Sequence, residues 1–115
     1  LIVDAYNANP TSMMAALENF HLMEVSHKVA ILGDMKELGE GSLDEHRKIV
    51  SFLEGCGFER IILVGDEFGK ANSGFEWYKN TDDLKAKISE EKISGKFVLI
   101  KGSNSMKLAP LKDIL

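Results

Sequence analysis

Four short apolar runs punctuate the chain, at Leu1 to Val3, Val29 to Leu32, Ile61 to Val64 and Phe97 to Ile100, each rich in β-branched or aromatic residues and each closed by Asp or Gly within a residue or two. An unbroken apolar run of that length reads as a strand buried on both faces, because an alternating pattern would leave one face wet. The runs therefore predict a parallel sheet covered by helices on each side. The segments between them carry helical period, clearest in Leu43, Ile49, Val50, Leu53 and Cys56, with Ser42 and Glu45 spaced as a capping box and Gly55 and Gly57 as the stop. Asn9 and Pro10 predict the start of an earlier helix whose apolar side is Met13, Met14, Ala16, Leu17 and Phe20. A further helix is predicted from Asp82 to about Glu91, capped by Asn80 or Thr81, with shorter turns at Asp66 to Ala71 and Ser105 to Leu108. This alternation is that of a Rossmann-like, doubly wound and mostly parallel α/β fold.

Length and charge narrow the function. At 115 residues the chain has room for one hydrophobic core, so residues 1–115 are read as a single domain. The absence of any run of about 18 apolar residues excludes a membrane-spanning helix, and the single cysteine, Cys56, excludes an internal disulfide, which fits a reducing, cytoplasmic setting. A net charge of -4 argues against nucleic acid as a partner. The charge is uneven: residues 1–78 hold 13 acids and 6 bases, and residues 79–115 hold 5 acids and 8 lysines, so the tail is suited to an anion. The start at Leu1-Ile2-Val3 resembles neither an initiator segment nor a signal peptide, and is expected to mark a domain boundary within a longer protein.

In doubly wound sheets ligands bind beyond the carboxyl ends of the strands. After the first predicted strand come Asp4, Tyr6, Asn7, Asn9, Pro10, Thr11 and Ser12, a concentration of polar groups at a helix N-terminus. A capped turn accounts for Asn9 and Pro10 but leaves Asp4, Tyr6 and Asn7 without a role, and on residue types alone function and turn chemistry stay equally open. After the second strand, Asp34, Lys36 and Glu37 lie in a glycine-bounded loop that suits a substrate amine or a metal-bound nucleotide, although residue types alone favour a solvated connection that caps the next helix. His46, just beyond, has no acid or nucleophile at a recognisable spacing and reads as a surface or cap-packing residue. After the third strand, Gly65 to Ala71 falls short of a phosphate-binding P-loop, with three residues between its glycines where four are needed and Ala71 in place of a hydroxyl. After the fourth, Lys101, Ser103 and Asn104 offer an oxyanion or phosphate contact, with ordinary surface lysines as the alternative.

Three of these stretches carry a resemblance. Residues 4–13, Asp-Ala-Tyr-Asn-Ala-Asn-Pro-Thr-Ser-Met, resemble the D-x-Y-N-A-N-P-x-S-M signature that opens the C-terminal domain of Mur ligases of the D-alanyl-D-alanine-adding (MurF) type. Leu32 to Gly39, followed by His46, is similar to that family's L-G-D-M-x-E-L-G segment, and Val98 to Met106 to its V-L-V-K-G-S-R-x-M segment, with Asn104 where the family commonly has Arg. The resemblance spans essentially the whole chain. It implies a parent enzyme that joins D-alanyl-D-alanine to UDP-N-acetylmuramoyl-tripeptide at the expense of ATP in bacterial peptidoglycan precursor synthesis. The N-terminal and central domains of that parent would bind the UDP-sugar and supply the P-loop with its Mg2+ ligands. It also implies that Asp4, Tyr6, Asn7, Asn9 and Pro10 meet ATP, and that Asp34, Glu37, Lys101, Ser103 and Asn104 meet substrate. No catalytic residue or metal ligand is expected in this domain alone, which should be inactive by itself. Two other readings fit the skeleton: a receiver-type phosphoacceptor domain using Asp4, Asp34 or Asp66 with Lys101, and a bare nucleotide-binding module.

Overall fold

The computed structural model describes residues 2–3, 9–71, 74–90, 96–103, 108 and 111. Its strands are β1 (Ile2–Val3), β2 (Lys28–Gly33), β3 (Arg60–Val64), β4 (Glu76–Tyr78) and β5 (Phe97–Lys101), and its helices α1 (Pro10–Leu22), α2 (Ser42–Glu54), α3 (Asp66–Ala71) and α4 (Thr81–Glu90). All pairings among them are parallel, in the order β1-β5-β2-β3-β4. The chain steps outward from β2 to β4, then returns to place β5 between β1 and β2. That reversal opens a switch point at the carboxyl ends of the central strands, where open α/β sheets take their ligands.

Period-2 geometry sorts the strand residues onto two faces. Ala30, Leu32, Ile61, Leu63 and Leu99 pack with Met13, Leu17 and Phe20 of α1, Ile49, Val50 and Leu53 of α2, and Phe68 of α3. Val29, Ile31, Ile62, Val64, Val98 and Ile100 meet Leu84 and Ile88 of α4, together with Leu108 and Leu111. The four apolar runs thus coincide with four strands of the sheet, and β2, β3 and β5 are buried on both faces.

Helix α1 begins as expected. Asn9 Oδ1 accepts the Ser12 N–H at 2.9 Å and Ser12 Oγ accepts the Asn9 N–H at 3.1 Å, a reciprocal cap with Pro10 in the first turn. At its far end, Lys28 Nζ donates to the carbonyls of Phe20 and His21 at 3.0 and 2.8 Å, so a cation closes the negative pole of the helix. Asn80 caps α4 through Asp83 N–H, at 2.8 Å.

Two expectations change. The predicted Ser42 capping box is not formed: a 3-10 turn at Gly39–Gly41 leads directly into α2, Gly41 takes the cap position, and Ser42 is the first helical residue, with its hydroxyl turned to His46. The sheet also has a fifth strand, β4, which carries no apolar run. It is a three-residue edge strand, held to β3 by Arg60, whose Nε and Nη2 each donate to Glu76 at 2.7 Å. The predicted turn at Ser105 to Leu108 lies largely outside the described residues.

Candidate functional site at the carboxyl edge of the sheet

The carboxyl edge is tied together by one residue, Asp34, which follows β2. Its N–H donates to Val64 O at the end of β3, and its carbonyl accepts the Ser103 N–H beyond β5, both at 3.1 Å. Its carboxylate is fully buried and accepts the backbone N–H groups of Glu67 (3.0 Å) and Phe68 (2.9 Å), so it caps α3 from a distant point in the sequence. Gly65 makes this possible: at φ +115, a Cβ there would lie 2.3 Å from the carboxylate. A second close approach joins β2 to β5, since a Cβ on Gly102 would lie 3.0 Å from Gly33 Cα. The near-miss P-loop is thus a turn shaped to receive Asp34.

Lys101 is 3% exposed, in register with Leu32 of β2. Two residues beyond Leu99, it leaves the sheet on the side covered by α1, α2 and α3. It is therefore no ordinary surface lysine. Ser103 is also buried, and both residues are engaged within the fold.

Between Asp34 and α2 runs the loop that carries Lys36 and Glu37, both exposed. Met35 anchors its start, with its side chain in the core and its N–H donating to His46 Nε2 at 3.0 Å. His46 is fully buried, edge-on to Phe68 at 4.6 Å between ring centres, and its Nδ1 lies 2.7 Å from the Ser42 carbonyl. An Nε2 that accepts and an Nδ1 that donates define the neutral Nδ1–H tautomer. Of the two readings of His46, surface or cap-packing, the first is corrected: it is a buried bracket for the loop, tied to Ser42 at the start of α2. Glu37 has φ +62, a left-handed conformation unusual for a residue of its type.

Asp4, Tyr6, Asn7 and Asn104 lie outside the described residues. Asn9 and Pro10 are at the N-terminus of α1, and Asp34, Glu37, Lys101 and Ser103 lie at or beside the carboxyl edge. Asp34, proposed from sequence to meet a substrate amine, has both carboxylate oxygens on backbone N–H groups and a looser contact to Lys36 Nζ at 3.6 Å. The same arrangement argues against a phosphoacceptor role for it, which needs an accessible carboxylate. No three His, Cys, Asp or Glu side chains are placed to share a metal ion among the described residues.

Among the described residues, the ionisable groups shifted from their ordinary values stand away from this edge. Hydrogen bonds from Lys96 and His27 hold the Glu59 carboxyl below its ordinary range, and the Arg60 guanidinium does the same for Glu76. Burial raises the Cys56 thiol, whose Sγ lies 3.4 Å from Phe52 O.

Comparison with known proteins decides the family. A family model described as "Mur ligase, glutamate ligase domain" matches residues 1–104. The chain belongs to the Mur ligase family. This Mur ligase domain is 32% identical to the UDP-N-acetylmuramoyl-tripeptide--D-alanyl-D-alanine ligase of Rickettsia prowazekii, over 98% of the chain and 26% of that protein. It is also 32% identical to the enzyme of the same name from Bacillus subtilis, over 100% of the chain and 28% of that protein. Among solved structures it is similar to MurF from Acinetobacter baumannii, with a TM-score of 0.78 and 29% identity over 96% of the chain and 26% of that structure. It shares its fold with Thermotoga maritima MurF in complex with ADP, with a TM-score of 0.78 and 22% identity over 97% of the chain and 27% of that structure. The Mur ligase domain thus spans about a quarter of the length of these relatives.

Proposed function

We propose that this chain is the C-terminal domain of an ATP-dependent ligase that adds D-alanyl-D-alanine to UDP-N-acetylmuramoyl-tripeptide in the bacterial cytoplasm. The observation that carries this is the identity to ligases of that name, which runs the length of the chain and is not confined to one motif. In this reading ATP transfers its terminal phosphoryl group to the tripeptide carboxylate and leaves as ADP, and the dipeptide amine attacks the acyl phosphate, losing a proton and expelling inorganic phosphate as the amide bond forms. The domain closes over a central ATPase domain, excludes water and aligns the amine.

Asp4 accepts hydrogen bonds from the ATP ribose, and Tyr6, Asn7, Asn9 and Pro10 line the nucleotide. The Asn9 side-chain oxygen is already used in capping α1, so its amide N–H groups are the part available to ATP. Lys101, Ser103 and Asn104 face phosphate or the dipeptide carboxylate. Glu37 meets the dipeptide ammonium, and Asp34 holds the edge in shape. Mg2+ supplies charge neutralisation on the ATP phosphates and is held, in this reading, by the central domain.

The test is made in the full-length ligase. Wild-type protein should release ADP only when both D-alanyl-D-alanine and the UDP-linked tripeptide are present. Asp4→Ala should raise the KM for ATP or lower kcat by at least about tenfold. Unchanged kinetics would overturn the ribose role, and ADP release indifferent to the dipeptide would overturn the assignment.

A further inference from the structure

Two residues other than glycine have positive φ among the described residues, His27 at +61 and Glu37 at +62. A strained backbone persists only when its surroundings enforce it, and such residues concentrate where the strain serves a function. For His27 the compensation is visible: its ring lies 2.8 Å from Glu59 Oε1, and its carbonyl accepts the Phe97 N–H. For Glu37 no compensation is visible. Its side chain is exposed and has no hydrogen-bond or ion-pair partner among the described residues.

What enforces the conformation lies on either side. Upstream, Asp34 is fixed by backbone bonds to β3 and to Ser103, and Met35 is fixed by its buried side chain and by His46 Nε2. Downstream, the turn at Gly39–Gly41 runs directly into α2, whose first residue, Ser42, is tied to the same imidazole at Nδ1. One buried ring therefore grips both ends of the loop. Lys36 leans back within 3.6 Å of Asp34, which leaves Glu37 and Glu40 as the outward-facing carboxylates of the loop, and of the two only Glu37 is fixed in a left-handed conformation, next to the residues that His46 and Asp34 anchor. An anion held at the carboxyl edge without a partner suits a cationic group.

We infer that His46 is a positioning residue that holds the loop so that the Glu37 carboxylate is presented to the ammonium group of the incoming dipeptide. This rests on the assignment of the parent enzyme made above. The imidazole acts through hydrogen bonds and touches no substrate. Its effect therefore falls on binding of the amine component, and not on ATP.

The variants are chosen for their reach. In His46→Asn the side chain can still donate to the Ser42 carbonyl but is too short to accept from Met35 N–H, whereas in His46→Gln an acceptor returns close to the Nε2 position. In the full-length ligase, H46N should raise the KM for D-alanyl-D-alanine about tenfold and shift the KM for ATP by less than about threefold. H46Q should restore most of the difference. Glu37→Gly accepts the left-handed backbone without strain, so it keeps the fold if H46N does not. It should raise the dipeptide KM by a similar factor, and adding H46N to E37G should have little further effect, the non-additivity expected of residues that act as a unit. Equal changes in both KM values for H46N, or an unchanged dipeptide KM in E37G, would overturn the positioning role while leaving the ligase assignment intact. A wild-type enzyme without dipeptide-dependent turnover would overturn the assignment itself, and the role with it.

Discussion

Asp34 and Gly65 are best understood as one unit. Asp34→Ala strips two backbone N–H groups at the start of α3 of their buried acceptor, and the cost of such unmade bonds is about 2–3 kcal/mol. Gly65→Ala drives a methyl group to within 2.3 Å of the same carboxylate, at a φ of +115, and should cost at least as much, about 2–4 kcal/mol. The two penalties share a cause, so the double variant should lose clearly less than their sum. Urea unfolding of the four proteins measures this, and strict additivity would show that the contact is not what fixes Gly65. Glu37→Gly has the opposite sign. Relief of the left-handed strain should stabilise the domain by about 0.5–1 kcal/mol while impairing dipeptide binding. A stable but weakened enzyme is the outcome to look for.

At the scale of elements, α1 shows how a structural and a ligand role can share one side chain. Asn9→Ala removes the cap and should cost about 1 kcal/mol, whereas Asn9→Asp keeps an oxygen for the Ser12 N–H and should be nearly neutral in stability. If the Asn9 amide also faces ATP, the Asp variant should still raise the KM for ATP, because it sets a carboxylate against phosphate. Paired measurements of unfolding and ATP KM in the full-length enzyme separate the two roles. The caps and the central strands were legible in the sequence because each signal is local: Asn9-Pro10, Asn80 and the four apolar runs need only their neighbours to be read. Strand β4 was not, since Glu76-Trp77-Tyr78 is short and half-exposed. Its place depends on Arg60 and on the Trp77 indole donating to Gly65 O at 2.7 Å, a partner twelve residues away. The cap of α2 was misread because Ser42 and Glu45 fit the spacing of a capping box and the spacing of a first turn equally well. The edge itself was predicted, but its internal bonding was not. His46 and Asp34 both bind backbone N–H groups, and a backbone donor leaves no mark on the residue type that supplies it.

Across the whole molecule the two ends of the sheet are built differently. The carboxyl edge is held by the buried Asp34 carboxylate and His46 imidazole, each bonded to backbone N–H groups. The amino edge is held by charge: Glu59 bridges His27 ahead of β2 and Lys96 ahead of β5, and Arg60 grips Glu76 at the start of β4. These contacts clamp the ends of four strands at the edge opposite the candidate site. The arrangement has a direct consequence for pH. Glu59 and Glu76 are held below their ordinary range in the folded protein, by Lys96 and by Arg60 foremost. As the medium is acidified the unfolded chain takes up protons first, near a carboxyl pKa of about 4.3. The contribution of both residues is therefore complete above that value and drains away as pH falls through the lower folded values. Urea midpoints measured from pH 6 down to pH 3 should fall steeply below about 4.5 for the wild type. A double variant, Glu59→Gln with Glu76→Gln, should start lower at pH 6 and decline less over the same interval. Both carboxyls are partly open to solvent, so salt should narrow the gap between the two proteins. Parallel curves for the two would place the acid sensitivity of the fold in other carboxyls and remove the amino-edge clamp from the account of its stability.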